Sequence, residues 1–346
     1  MSMIFGTSMA LLVSCCGAEN RGKTIGLSAA CVYSGVSLGP FIGGFITDYL
    51  GWRMIFWLTG IALLINFFLI FKVKTDWYGA KDKKFDYIGS IIYLVMIVLF
   101  LYGLSDWTIH EFVHYMPFIA FIYFIFIYEQ KKVASPLVDL SIFRNTVFTM
   151  SNIAALIHYS ATFALGFVLS LYLQLVRGMD AFTAGGFLLI QPFIMTIVSP
   201  KAGALSDKFS SRLIASLGMG MMMIGLFAFS FFDKDTSFYL IGINLAFIGL
   251  GFGLFASPNN NAIMGAVEAK FYGVASSILA VMRLTGQAIS MSLVTLLLSI
   301  FTAEAIESNY VDILLHSFKY IFILFGFLCI IALFASLMRG KENVKE

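Results

Sequence analysis

The chain has 346 residues, is 60% hydrophobic and 16% aromatic, and carries only 12% charged residues. Soluble domains carry roughly 25% charged residues, so this composition excludes a water-soluble globule and points to an all-α protein integral to the lipid bilayer. The net charge of +3 marks no nucleic-acid partner.

Cys15, Cys16, Cys31 and Cys329 lie in apolar runs without metal-ligand spacing, so they read as packing residues, and no metal or other cofactor is expected. Met1 runs straight into an apolar segment with no basic region before it, so no cleavable signal peptide is expected. A crossing helix needs about 20 apolar residues. Eleven stretches answer to that description: 1–18, 24–46, 53–72, 87–106, 111–129, 148–172, 184–203, 213–232, 238–258, 273–300 and 317–338. If the first ends inside and the rest alternate, 17 of the 22 Lys and Arg fall inside, four outside and one, Arg283, within a span. Short cytoplasmic loops are enriched in these residues. The pattern therefore places the C-terminus in the cytoplasm and Met1 outside, in a multi-pass protein of the cell membrane.

The second stretch organises the chain. Gly26, Gly35, Gly39, Gly43 and Gly44 recur near helical spacing, with Pro40 among them. A helix face without side chains lets another backbone approach closely, and Pro40 removes a donor and bends the rod. Packing alone would also account for such a face. These positions, with Arg21-Gly22-Lys23 before and Gly51-Trp52-Arg53 after, resemble the antiporter motif on the fifth helix of the major facilitator superfamily, in its fourteen-helix drug:proton antiporter branch (EmrB/QacA type). By that resemblance the chain is an N-terminally truncated major facilitator-type bundle lacking the first three helices and part of the fourth. Residues 1–72 would be the remainder of the N-terminal half, 73–147 a linker with two extra helices, and 148–346 the C-terminal six-helix half. The loop through Phe85-Asp86-Tyr87-Ile88-Gly89, the segment Ser135-Pro136-Leu137 to Phe143-Arg144-Asn145, and Ser257-Pro258-Asn259-Asn260-Asn261 are similar to family sequences.

An internal repeat supports two halves without the resemblance. A shift of 251 residues lays Gly22, Gly26, Gly35 and Gly39 on Gly273, Ser277, Gly286 and Ser290, although Pro40 meets Met291. Repeated halves with the substrate site between them are a common build of secondary transporters.

Gly203-Ala204-Leu205-Ser206-Asp207-Lys208 with Arg212 reads as a tight loop in which Asp207 caps the following helix or pairs with Lys208 or Arg212. It resembles the second-half copy of the superfamily's loop motif, whose pairs hold the cytoplasmic gate, though Ser210-Ser211 replaces the usual glycine. An ordinary charged loop is the plainer reading. Arg283 sits well inside its span with Gln287 one turn on, which suggests a pair lining an aqueous path; a snorkelling Arg283 is the alternative. His158, with Asn152 below it, could relay protons or be a satisfied structural histidine. Gln174, Gln191 and Asn244 are weaker path candidates. No Asp or Glu lies mid-span, and the coupling acid that the resemblance implies belongs on a helix before Met1.

One rival motif remains. His110-Glu111-Phe112-Val113-His114 has the HExxH spacing of zinc hydrolases. The expected function is nevertheless non-enzymatic: proton-coupled efflux of lipophilic or cationic small molecules across the bilayer, the alternatives being an inactive remnant or a membrane zinc peptidase.

Overall fold

Alternation between apolar runs and short polar breaks sets the architecture. In the computed structural model, residues 2–72, 86–105, 109–133, 136–303 and 310–340 are described. Among them every long element is an α-helix and no strand occurs. The helices are α1 (Ser2–Cys15), α2 (Arg21–Leu50), α3 (Arg53–Ile70), α4 (Tyr87–Ser105), α5 (Ile109–Lys132), α6 (Thr146–Thr162), α7 (Leu165–Leu171), α8 (Ala181–Leu188), α9 (Ile190–Lys208), α10 (Ser211–Phe229), α11 (Phe238–Gly265), α12 (Tyr272–Ala303) and α13 (Tyr310–Leu337). Each of the eleven predicted stretches is helical over most of its described residues, with 148–172 and 184–203 each broken once, near 163 and 189. Seven helical stretches among the described residues are long and apolar enough to cross a membrane: Arg53–Ile70, Thr146–Val176, Ala181–Lys208, Ser211–Phe229, Phe238–Gly265, Ala269–Phe301 and Val311–Leu337.

Polar residues at the breaks start the helices. Asn145 caps α6 by accepting from the Val147 and Phe148 amides, and donates to the Ala266 carbonyl at 2.8 Å. Asp180 likewise accepts from the Thr183 amide at the start of α8. Such caps satisfy donors that a helix leaves orphaned. Gly51, at φ +81°, ends α2 in a conformation that favours glycine.

The main core lies among α6, α7, α10, α11 and α13, where Leu165, Leu169, Met219, Leu226, Ile248 and Phe325 are fully buried. A smaller core joins Val13 of α1 and Ile25 of α2 to Phe148, Ile263 and Ile278. That second cluster draws the N-terminal helices onto the rest of the bundle. α2 lies along α9, α1 along α12, and α4 pairs with α5.

Candidate functional site

The approach of α2 to α9 depends on glycine. A Cβ at Gly22 would strike the Gly203 carbonyl oxygen and one at Gly203 the Gly22 carbonyl oxygen; one at Gly26 would strike the Ser199 carbonyl oxygen. The two backbones therefore touch at this end. Gly35, Gly39 and Gly43 have no such neighbour. The packing face expected over the whole glycine run is thus confined to its first part: Gly22 and Gly26 face α9, whereas Gly35, nine residues beyond Gly26 at about 100° per residue, lies on the opposite side of α2. The side chain of Pro40 and the surroundings of Gly44 lie outside what is described, but α2 runs uninterrupted through both.

The touching ends carry a polar network. Asp207 Oδ1 accepts from the Gly22 amide at 2.7 Å and Oδ2 from the Lys23 amide at 2.8 Å. These amides open α2, where a helix end presents unsatisfied donors and partial positive charge. Asp207 therefore caps a helix 185 residues away in sequence, and not the helix that follows it, as its position suggested. Arg212 does not complete an Asp207 pair either; its guanidinium reaches the Gly340 carbonyl at 3.4 Å. Lys208 is exposed at the end of α9. Asn261 joins the cluster from α11. Its amide donates to Ser206 Oγ at 2.9 Å and Asp207 Oδ1 at 3.2 Å, and its Oδ1 accepts from Arg21 Nε at 2.7 Å. Gly265 leaves room for the Arg21 guanidinium, which a Cβ there would strike.

Two residues before Asn261, Asn259 donates to the Ser151 carbonyl at 3.3 Å and accepts from Arg339, which is 0% exposed. The Pro258–Asn261 stretch thus ties α11 to α6, to α9, to the start of α2 and to the chain after α13. Arg21 stood out in the sequence only as a flank of the glycine motif, and Arg339 did not stand out. Three consecutive asparagines inside an apolar helix were the available signal, because buried amides need partners.

Deeper in the bundle, α12 meets α6 at Gly286, where a Cβ would lie 2.5 Å from the Leu156 carbonyl oxygen. Ser290 Oγ accepts from the Ala164 amide at 3.0 Å, between α6 and α7. Arg283 is thereby set beside the Tyr159 hydroxyl and in the neighbourhood of Tyr33 of α2. Tyr33 packs edge-on to Phe252 of α11, centroids 5.9 Å apart, and Tyr159 lies 6.3 Å from the same ring. Gln287 is half-buried one turn beyond Arg283.

His158 is 0% exposed and held between Phe252 and Phe255 at centroid distances of 4.5 and 4.4 Å, with no hydrogen bond to either ring nitrogen among the described residues. Asn152 donates to the Phe148 carbonyl of its own helix at 2.9 Å. Gln174 donates to Ser170 and Asn244 to the Gly225 carbonyl, the latter fastening α11 to α10. The side chains of His110, Glu111 and His114 lie outside the described residues. Among the described residues no cluster of three His, Cys, Asp or Glu could hold a metal.

The family model for the Major Facilitator Superfamily matches residues 1–291 and 193–346. The chain belongs to the major facilitator superfamily. Superfamily membership makes this a transporter fold, and the zinc-peptidase reading of His110-Glu111-His114 falls with it. Among curated relatives, the Riboflavin transporter RibZ of Clostridioides difficile (strain 630) is 30% identical over 310 residues, covering 89% of this chain and 67% of the relative. The Multidrug resistance protein Stp of Mycobacterium tuberculosis is 26% identical over 300 residues, covering 84% of this chain and 55% of the relative. Among solved structures, the proton:xylose symporter XylE bound to 6-bromo-6-deoxy-D-glucose matches 96% of this chain and 66% of its own, with a TM-score of 0.56 and 14% identity. The chain thus spans between about half and two thirds of the length of these relatives.

Proposed function

We propose that this superfamily member is part of a secondary transporter that moves lipophilic organic compounds out of the cell by alternating access, in exchange for protons. The observation that carries the reading is the Asp207 carboxylate seated on the N-terminus of α2. In this reading residues 1–72 belong to one half and 148–346 to the other, with 73–147 between them. The Asp207 contact, reinforced by Arg21 and Asn261, is then a gate between the halves, closed at its basic, cytoplasmic end. Rocking the halves needs a contact of this kind: strong enough to hold a closed state, small enough to open. Two charge-assisted bonds to amides contribute about 1.5–3 kcal/mol each, a range in which substrate binding can shift the population.

The relatives' printed names, riboflavin transport and multidrug resistance, support organic solutes as substrates. The similarity to fourteen-helix drug:proton antiporters and the share of the relatives' length covered support reading the chain as the remainder of a longer parent. In that parent, an acid on an upstream helix supplies the proton site. Arg283 and Gln287 line the path in this reading, with the buried His158 and Asn152 behind its wall. The test is transport by the reconstituted chain, alone and extended by its upstream coding sequence. Proton-driven export by the extended form, abolished by Asp207→Asn with membrane insertion intact, is expected. Export unchanged by Asp207→Asn overturns the gate.

A further inference from the structure

A cavity of about 740 Å³ opens between α4 and α12. Ser90, Tyr93, Leu94 and Ile97 of α4 form one wall. Gly273, Ser277, Val281 and Thr285 stand on the other, a face of α12 repeated every four residues. Leu137 and Val138 close one end, where Asp86 and Gln130 accept from their amides at 3.2 and 2.9 Å. Leu94, Gly273 and Ser277 are exposed, so the space opens toward the bilayer. Arg283, Gly286 and Ser290 fall on the opposite face of α12, the one that meets α6.

Among the described residues no charged side chain lines this cavity, and its polar side chains are hydroxyls. Ser90 Oγ donates to the Asp86 carbonyl at 2.6 Å. Tyr93, Ser277 and Thr285 have no hydrogen-bond partner among the described residues. Elsewhere helical Ser and Thr turn back to the carbonyl four residues earlier: Ser34 to Ala30, Thr162 to His158 and Ser317 to Ile313. A hydroxyl in an apolar setting is costly without a partner. Apolar walls, a few well-placed polar groups and a volume of roughly 300–1,000 Å³ mark small-molecule sites. The lack of charge sets the class, because an ion entering here would lose its hydration with no counter-charge to replace it.

We propose that the cavity between α4 and α12 binds uncharged lipophilic organic molecules that carry hydrogen-bond acceptors. The apolar walls hold the body, and the Tyr93, Ser277 and Thr285 hydroxyls donate to the acceptors. The ligand enters from the bilayer, through the exposed side. This site stands apart from the proposed gate: it needs no movement of α2 against α9, and its test reads binding alone.

Benzophenone is such a molecule, and near-ultraviolet light makes its carbonyl carbon bond to C–H groups beside it. 4-Benzoylbenzoate and (4-benzoylbenzyl)trimethylammonium share its frame and carry opposite charges. The full chain in lipid nanodiscs is irradiated with each probe, and the adducts are located by mass spectrometry. α3, which has no buried residue, records probe merely dissolved in lipid. Benzophenone adducts on residues 90–97 and 273–285 are expected to exceed those on α3 by at least about tenfold. Neither charged analogue should show that excess. Gly273→Phe enters open space and fills the cavity, so it should remove the excess. Tyr93→Phe combined with Thr285→Val should lower it. Equal labelling of the cavity and α3, or an excess that survives Gly273→Phe, overturns the site. An equal or larger excess with a charged analogue overturns the uncharged class, and an excess unmoved by the double variant overturns the role of the hydroxyls. Cavity adducts in detergent but not in nanodiscs mean that a lipid chain fills the space, which also overturns the assignment. The comparison of the three probes on the unmodified chain stands whether or not the variants fold.

Discussion

At the scale of single residues, three polar side chains hold the joints. Asp207 is the first, through the α2 amides. The second is Arg339, buried where α13 has ended, with Asn259 as acceptor. Arg339→Ala strips Asn259 of a charged donor inside the protein, a change that costs about 1–3 kcal/mol; a lowered unfolding temperature in detergent checks it. The third is Asp86. Its carboxylate accepts from the Gly89 amide and from Gln130, each at 2.7 Å, and from the Leu137 amide at 3.2 Å, so it fastens α4 to α5 and to the segment leading into α6. Burial pushes this carboxyl up, but the bonds from Gln130, Gly89 and Leu137 together outweigh that and hold it below its usual value. A lowered folded-state value means the fastening is fully present above the unfolded value of about 3.9 and is lost as pH falls through the folded one. Hydrogen-exchange protection at the start of α4 should therefore hold from neutrality down to about pH 4 and fall below it, and Asp86→Asn should weaken it at neutral pH. Asp207 was legible in the sequence as a capping acid, but its partner was not, because sequence shows only near neighbours. Tyr33, Tyr159 and Phe252 were invisible in a chain with 37 Phe and 15 Tyr.

Among the elements, α2 and α12 use the same small-residue pattern at opposite places. On α2 the contacts fall at Gly22 and Gly26; on α12 they fall at Gly286 and Ser290, while Gly273 has nothing near it. The periodicity showed that each helix has a small face. It could not show which part of that face is covered, since coverage depends on where the neighbouring helix crosses. The difference is measurable. Gly26→Leu drives a side chain into the Ser199 carbonyl and should destabilise the fold by about 1–3 kcal/mol. Gly39→Leu enters open space and should change stability by less than about 0.5 kcal/mol. Unfolding temperatures of the two variants in detergent test the contrast; equal losses would mean that another part of the protein covers Gly39.

Across the whole molecule, the helical nature of all eleven apolar stretches was readable because the bilayer demands long apolar runs with internally satisfied backbones. The boundaries were less so: α13 is already helical at Tyr310, the first residue described there and seven before its expected start, so the helix carries Asp312 and His316 beyond the apolar core. In the proposed transport cycle, the end of the bundle carrying Gly22 and Asp207 opens and closes. Lys23 and Lys208 are exposed on either side of that contact. Spin labels at Cys substituted for these two lysines, with the native cysteines removed and the chain in a bilayer, report the gap as a distance distribution. A transporter gate predicts a short and a longer population, with Asp207→Asn moving weight to the longer one. A single short distance, unmoved by Asp207→Asn, would contradict it.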